Sequence, residues 1–369
     1  MNPDRRSLLS LPLAGLLAAC TPGGAEATAP EGSLLRLAED DGVPALGGVV
    51  VGREGVIHLE VAGVRRAGSP DPVQPGDVWH LGSNTKAMTA MLYGQAVEAG
   101  KARWDSSLGE LFPGLGMNAA WSKTRIDAVM EHRAGLSDAG VIDRGWLFTA
   151  RSDDRSLPDQ RMAMVAKALS EPPRGTPGVF AYGNLNYILA GAALERIEGK
   201  PWEDVIREGL FKPLGLASAG FGAPAGDQPQ GHLRLGPLSA RPVGEGKWAD
   251  NPAAMAPAGG VHMSLSDYAR FLRLFLTEGD GLVSPATLAR LTTPPPGGDY
   301  ALGWSVRPDV DWAKGRVLEH EGSNVLWHAV AQVAPGRGLA FATVGNLLVQ
   351  KPTAPQITLL KRLRRQFAP

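Results

Sequence analysis

The chain has 369 residues, enough for one large domain or two. Basic and acidic side chains number 37 each, so the formal net charge is zero and the basic footprint of a nucleic-acid binder is missing. The single cysteine excludes an intrachain disulfide, and 44% hydrophobic residues with dispersed charge fit a soluble globular protein.

Arg5 and Arg6 precede an apolar run from Leu8 to Ala19, which reads as a secretory signal over residues 1–19. The run is too short to span a bilayer as a permanent helix. Leu17-Ala18-Ala19-Cys20 resembles a bacterial lipobox. Cys20 is therefore expected to carry lipid and to anchor an exported lipoprotein to a membrane, facing the periplasm or the cell exterior; an ordinary signal peptide cut nearby is the alternative. Residues 20–33, rich in Pro, Gly, Ala and Thr, read as a flexible tether, which leaves 34–369 as the folded domain.

Leu34 to Ala38 begins a helix. Leu46–Val51 and Val56–Val61 flank Arg53-Glu54-Gly55, a predicted hairpin. In its second arm Ile57, Leu59 and Val61 alternate with His58, Glu60 and Ala62, the pattern of a half-buried strand. Next comes His80-Leu81-Gly82-Ser83-Asn84-Thr85-Lys86, opening a helical pattern that stops at Gly100 with Met88, Met91, Leu92 and Ala96 inward. A serine hydroxyl is a poor nucleophile until something takes its proton. A lysine three residues on shares its helical face and can place an amine beside it. The helix N-terminus adds N–H groups where negative charge will develop. Ser-x-x-Lys alone is common, so its weight depends on the motifs downstream.

Residues 101 to 300 read as mostly helical and loop-rich. Pro177-Gly178-Val179-Phe180-Ala181-Tyr182-Gly183-Asn184 places a tyrosine and an asparagine two apart in a loop. A helical face of Leu185, Ile188, Leu189, Ala192, Ala193 and Ile197, closed by Gly199, comes next. The phenol accepts a proton if positive neighbours lower its pKa. The amide can bridge a lysine and a substrate carbonyl. Taken alone, the pair is better explained as an aromatic packing residue and a helix N-cap. Phe221 to Asp250 reads as a long Gly/Pro-rich surface excursion, of a kind often functional. Tyr268, Phe271, Leu272, Phe275 and Leu276 mark another helix, starting at Ser264 or Ser266.

After Tyr300 strand patterns return. Leu318-Glu319-His320-Glu321-Gly322-Ser323-Asn324 leads into a strand-like run from Leu326 to Val333. Gly322 lets a substrate approach the backbone, and an adjacent N–H can complete an oxyanion hole; a turn with a surface histidine is the alternative. Trp327–Ala334 and Leu339–Val344 flank the hairpin turn Pro335-Gly336-Arg337-Gly338. Pro355 to Phe367 closes the chain as an amphipathic helix, with Ile357, Leu360, Leu363 and Phe367 inward and its cations on a solvated face. Strands at about 44–80 and 300–350 with helices at about 83–290 imply an α+β fold: an antiparallel sheet built from both chain ends with an inserted, mostly helical region.

Together, in this order, the three motif segments resemble the serine β-lactamase and penicillin-binding-protein superfamily, in its branch of class C β-lactamases, D-alanyl-D-alanine carboxypeptidases and esterases. Ser83 and Lys86 fall on the family's nucleophile and lysine, Tyr182 and Asn184 on its Tyr-x-Asn pair, and His320 and Gly322 on its Lys/His-x-Gly strand motif. His132-Arg133-Ala134-Gly135-Leu136, Pro213-Leu214-Gly215-Leu216, Ala258-Gly259-Gly260-Val261 and Gly303-Trp304 extend the likeness to roughly residues 31–350. The resemblance implies a sheet flanked by helices beside a helical subdomain, with the site in the cleft. It implies that Ser83 forms an acyl-enzyme and that Lys86 and Tyr182 share the proton work, leaving open which is the base. The oxyanion is expected between the backbone N–H groups of Ser83 and Ser323. A positive cluster is expected to lower the pKa of Tyr182, and crowding of cations that of Lys86.

Three departures bear on substrate. His320 stands where most β-lactamases have lysine, as in certain carboxypeptidases, aminopeptidases and esterases of the family. Glu321 repels a substrate carboxylate if it faces the cleft. Gly183 also replaces the usual Ser or Ala, and weak or no activity on penicillins is expected. Glu321, Asn324 and Trp327 are the candidate pocket residues, with His328 as easily core as pocket. Gly135-Leu136-Ser137-Asp138-Ala139 nears a nucleophile elbow but lacks the final glycine. Zinc spacing, a cysteine cluster and a phosphate-binding Gly-rich loop are missing, so neither metal, cofactor nor nucleotide is expected. The expected partner is a small ester or amide. A peptidoglycan peptide, or weak β-lactam hydrolysis, is the alternative, and a cleft-binding sensor without turnover is a reading from another class.

Overall fold

The computed structural model describes residues 31–236 and 239–369. The signal sequence, Cys20 and the tether up to Pro30 lie outside the described residues. In chain order the strands are β1 (Ala45–Gly52), β2 (Val56–Gly63), β3 (Val78–His80), β4 (Gly220–Phe221), β5 (His232–Arg234), β6 (Ala240–Pro242), β7 (Val261–Ser264), β8 (Ser305–Val310), β9 (Gly315–Ser323), β10 (His328–Ala334) and β11 (Leu339–Gly345). Six of them form an antiparallel sheet ordered β2-β1-β11-β10-β9-β8. The first hairpin thus joins the last strand, with Val49 opposite Ala342, and closes a sheet from both chain ends.

Every residue of β1, β10 and β11 except Leu339 is buried, because the sheet is covered on both faces. The Leu265–Arg273 helix, capped by Ser264 Oγ, lies against one face. The Pro355–Phe367 and Leu34–Asp40 helices cover the other. This cover changes the meaning of the β2 alternation: Leu59 and Val61 meet the large core, whereas Ala62 meets the smaller one and Glu60 binds Arg362. Only Val56 and Ile57 at the start of β2 remain exposed, so both faces of that strand are partly covered.

Residues 78–80 do not extend the main sheet. The chain turns away after Gly63 (φ +102°), and β3 pairs with β7, which pairs with β4. This small sheet delivers the segment 81–86 to the mouth of the helical body. Two buried helices, Thr85–Glu98 and Leu185–Glu198, run together there, and the second ends at Gly199 in the left-handed conformation. The excursion from Phe221 to Asp250 is only partly superficial: it buries His232 completely and returns with Asp250 at the cleft.

Candidate active site

Ser83 lies in a single 3-10 turn, Gly82–Asn84, which runs directly into the Thr85–Glu98 helix. Buried side chains fasten this turn. Asn84 Nδ2 donates to the carbonyl of Leu81 at 3.0 Å, and its Oδ1 accepts from Tyr268 Oη at 3.0 Å. Thr85 Oγ1 donates to the Gly82 carbonyl at 2.8 Å. Gly82 has φ +51°, and a Cβ there would stand 2.3 Å from Ser323 N. A Cβ on Gly322 would stand 2.8 Å from Ser83 N and 2.0 Å from Leu81 O. The glycines therefore let the serine turn and the end of β9 meet backbone to backbone. Ser83 and Ser323 both line the same cavity.

Lys86 projects back along its helix, and Nζ donates to Ser83 Oγ at 2.9 Å, Asn184 Oδ1 at 3.0 Å and the Ala258 carbonyl at 2.7 Å. It is completely buried, and burial holds its amine at about 7, against a weaker opposing pull from Asp138. Nζ also lies 4.9 Å from the centroid of the Tyr182 ring. Tyr182 is 47% exposed at the mouth, yet removal of its hydroxyl from water pushes the phenol up to about 12, despite a hydrogen bond with Ser83 that pulls it down.

That direction is opposite to the sequence expectation, for an identifiable reason. The neighbours are neutral histidines. His132 stacks against Tyr182 at 4.5 Å between centroids, and burial first, then Lys86 and His320, press its imidazole down to about 2. His320 is pressed down to about 3, chiefly by burial and then by Lys86. Lys86 is accordingly the amine beside the phenol, and its own low pKa comes from burial.

The hydroxyl opens onto a cavity of about 500 Å³ walled by Tyr182, Asn184, Phe221, Met255 and Ser323, among others. Residues 34–364 of the chain match the family described as Beta-lactamase. The chain belongs to the Beta-lactamase family. Penicillin-binding protein 4 of Amycolatopsis lactamdurans is 27% identical over 318 residues, spanning 79% of this chain and 78% of that protein. A class C beta lactamase from Rhodobacter sphaeroides has a TM-score of 0.68 at 20% identity, covering 89% of this chain and 97% of its own. A D-amino acid amidase from Ochrobactrum anthropi SV3 has a TM-score of 0.71 at 15% identity, covering 90% and 96%. At these identities the two solved structures show the β-lactamase/transpeptidase-like fold. Members of the Beta-lactamase family are serine hydrolases.

Of the residues that the Beta-lactamase motifs single out, Ser83, Lys86, Tyr182 and Asn184 meet at the cavity or directly behind it. His320 sits one layer back. Its Nδ1 bonds the Glu321 carbonyl at 2.8 Å and so carries the proton, which leaves Nε2 to accept from Tyr300 Oη at 3.0 Å. Gly322 serves the close approach of the serine turn. The three expected pocket residues lie elsewhere. Glu321 alternates to the opposite face of β9 from His320 and pairs with His328 Nε2 at 3.4 Å, so repulsion of a substrate carboxylate lapses. Trp327 is fully buried, edge-on to Trp79. Asn324 is buried, accepts from the N–H groups of Leu326 and Trp327, and donates to Asp250.

Four further residues shape this Beta-lactamase site. Asp138 accepts from Asn184 N at 3.0 Å, Leu185 N at 2.8 Å and Asn184 Nδ2 at 3.3 Å, capping the Leu185–Glu198 helix from another segment. Asn184 itself has helical dihedrals and makes no side-chain cap. His132 (φ +58°), Tyr300 and Tyr187 close the aromatic wall behind Tyr182. Asp138 and His132 stand in or beside segments visible in the sequence, but nothing local announces their partners Asn184 and Tyr182, far along the chain.

Proposed function

We propose that this protein is a serine hydrolase that forms an acyl-enzyme through Ser83 and acts on a small ester or amide. One observation carries the reading: a buried amine held at about 7 lies 2.9 Å from the hydroxyl of a serine at a cavity mouth. Neutral Lys86 takes the proton as Ser83 Oγ bonds the substrate carbonyl carbon. The oxygen that gains the electron pair lies between the N–H groups of Ser83 and Ser323, each worth on the order of 3 kcal/mol to the transition state. Collapse breaks the bond to the leaving group, which takes the proton from Lys86 through Tyr182 Oη. A water then repeats the sequence on the acyl-serine and restores the free hydroxyl. A phenol at about 12 stays protonated at neutral pH and suits this relay; Lys86 is the base.

The Asn184 amide bridges Lys86 and Asp138 and holds the amine in line. The test is intact-mass analysis after exposure to esters, D-amino-acid peptides and β-lactams. Wild-type protein gains a transient acyl mass and Ser83→Ala gains none; labelling of Ser83→Ala by a fluorophosphonate ends the assignment.

Glu321 favours a second reading. Because it faces away from the cavity, a substrate that carries a carboxylate, such as a peptidoglycan peptide or a β-lactam, meets no acidic side chain from β9. Release of D-alanine from a muropeptide selects this reading over the ester. A stoichiometric adduct without turnover selects a sensor. For location, we propose an exported lipoprotein anchored through Cys20; a mature protein without acyl mass, extracted without detergent, argues against it.

A further inference from the structure

The long excursion after β4 ends on Asp250, whose side chain is 12% exposed although it borders the cavity. Both of its oxygens are engaged by side chains. Oδ2 lies 2.9 Å from His80 Nε2, and Oδ1 accepts from Asn324 Nδ2 at 2.7 Å. The His80 tautomer is fixed by its other nitrogen. Gly82 N–H donates to Nδ1 at 3.1 Å, so Nδ1 is unprotonated and Nε2–H donates to the carboxylate. Gly82 immediately precedes Ser83, and Asn324 immediately succeeds Ser323. Asp250 is itself held: Arg151 Nη2 donates to its carbonyl at 2.7 Å, and Asn251 N–H donates to Oδ1 at 2.7 Å.

We propose that Asp250 is a positioning residue for the oxyanion hole, one carboxylate that holds both donor segments at their spacing, through His80 to the Ser83 turn and through Asn324 to Ser323. The inference rests on the reading of Ser83 as nucleophile but concerns a residue outside the family motifs. Oxyanion donors act only where charge develops, and their value depends on the place of the reacting oxygen. A brace on both donors therefore governs the chemical step more than substrate binding. Asparagine at 250 keeps the shape but replaces one acceptor with a donor, which meets either His80 Nε2–H or the Asn324 amide N–H.

The test compares an ester with its thionoester, whose larger, weakly accepting sulfur draws little from such donors. For Asp250→Asn the expected result is a fall in kcat for the ester of about 100-fold, with KM little changed. The thionoester rate falls far less, so the ester-to-thionoester ratio collapses. Both rates falling together with the ratio intact would mark a general loss of structure and overturn the positioning role. Asn324→Ala cuts one arm and is expected to shrink the ratio partway; it serves if Asp250→Asn does not fold. Wild-type turnover with an unchanged ratio in the variant that folds overturns this proposal alone. Ester turnover that survives Ser83→Ala overturns the nucleophile assignment and this proposal with it.

Discussion

Lys86 Nζ reaches Ser83 Oγ at 2.9 Å from the inside of the protein, with no carboxylate among its hydrogen-bond partners in the described residues. Burial therefore prevails over pairing, and the amine sits at about 7 instead of 10.5. The neutral form, which accepts the serine proton, grows as pH rises through that value. Acylation measured as kcat/KM is expected to climb about tenfold per pH unit well below 7 and to level above it. Lys86→Arg keeps the charge but cannot lose its proton, and should cost about 1000-fold or more. A flat pH profile between 5 and 9 would remove Lys86 as the base.

Asp138 supports that amine from a distance and caps a helix directly. Its negative charge favours the ammonium form, so Asp138→Asn should move the acid limb of the rate profile to lower pH. Asp138→Ala also deprives Asn184 N and Leu185 N of their acceptor. Loss of such a cap costs about 1–2 kcal/mol, readable as a lower urea midpoint. An acid limb displaced upward would contradict the electrostatic account.

Gly322 tolerates no side chain. A Cβ would stand 2.0 Å from the Leu81 carbonyl, so Gly322→Ala must push the serine turn away from β9. Overpacking of this kind costs roughly 1–3 kcal/mol. The displacement of Ser83 N from Ser323 N should reduce acylation by about 100-fold or more. Fluorophosphonate labelling rates and thermal melts report the two effects separately, and near-normal labelling would show that the turn accommodates the methyl group.

Glu321 offers the opposite expectation. Its carboxylate faces His328 on the far side of β9 and stays below its ordinary range, first through that hydrogen bond. Glu321→Gln should therefore leave KM within about twofold for both neutral and carboxylate-bearing substrates, as for a surface change away from the site. A large fall in KM confined to the carboxylate-bearing substrates would place the side chain in the cleft after all.

The architecture was legible because hydrophobic period and helix stops are local. Gly199 ends its helix in the left-handed conformation, Ser264 starts the next, and β1 and β11 close the sheet from the two ends. The small sheet was not legible, since three residues at 78–80 carry too short a pattern to name their partner. Ser83 and Lys86 are three apart on one helical turn, so their meeting comes from helix geometry alone. Which way a strand residue faces was less secure. His320 and Glu321 are neighbours on β9 and go to opposite sides, and only the placement of the cavity decides which side matters.

Local pattern, then, determined the pairing of Ser83 with Lys86 and the α+β layout. Tertiary structure decided the electrostatics. His132, His320 and Tyr300 converge from separate segments, and the burial of each group keeps both imidazoles neutral, holds Lys86 near 7 and raises Tyr182. Burial is a property of what surrounds a group, and residues distant in sequence supply those surroundings; no short stretch of chain contains it.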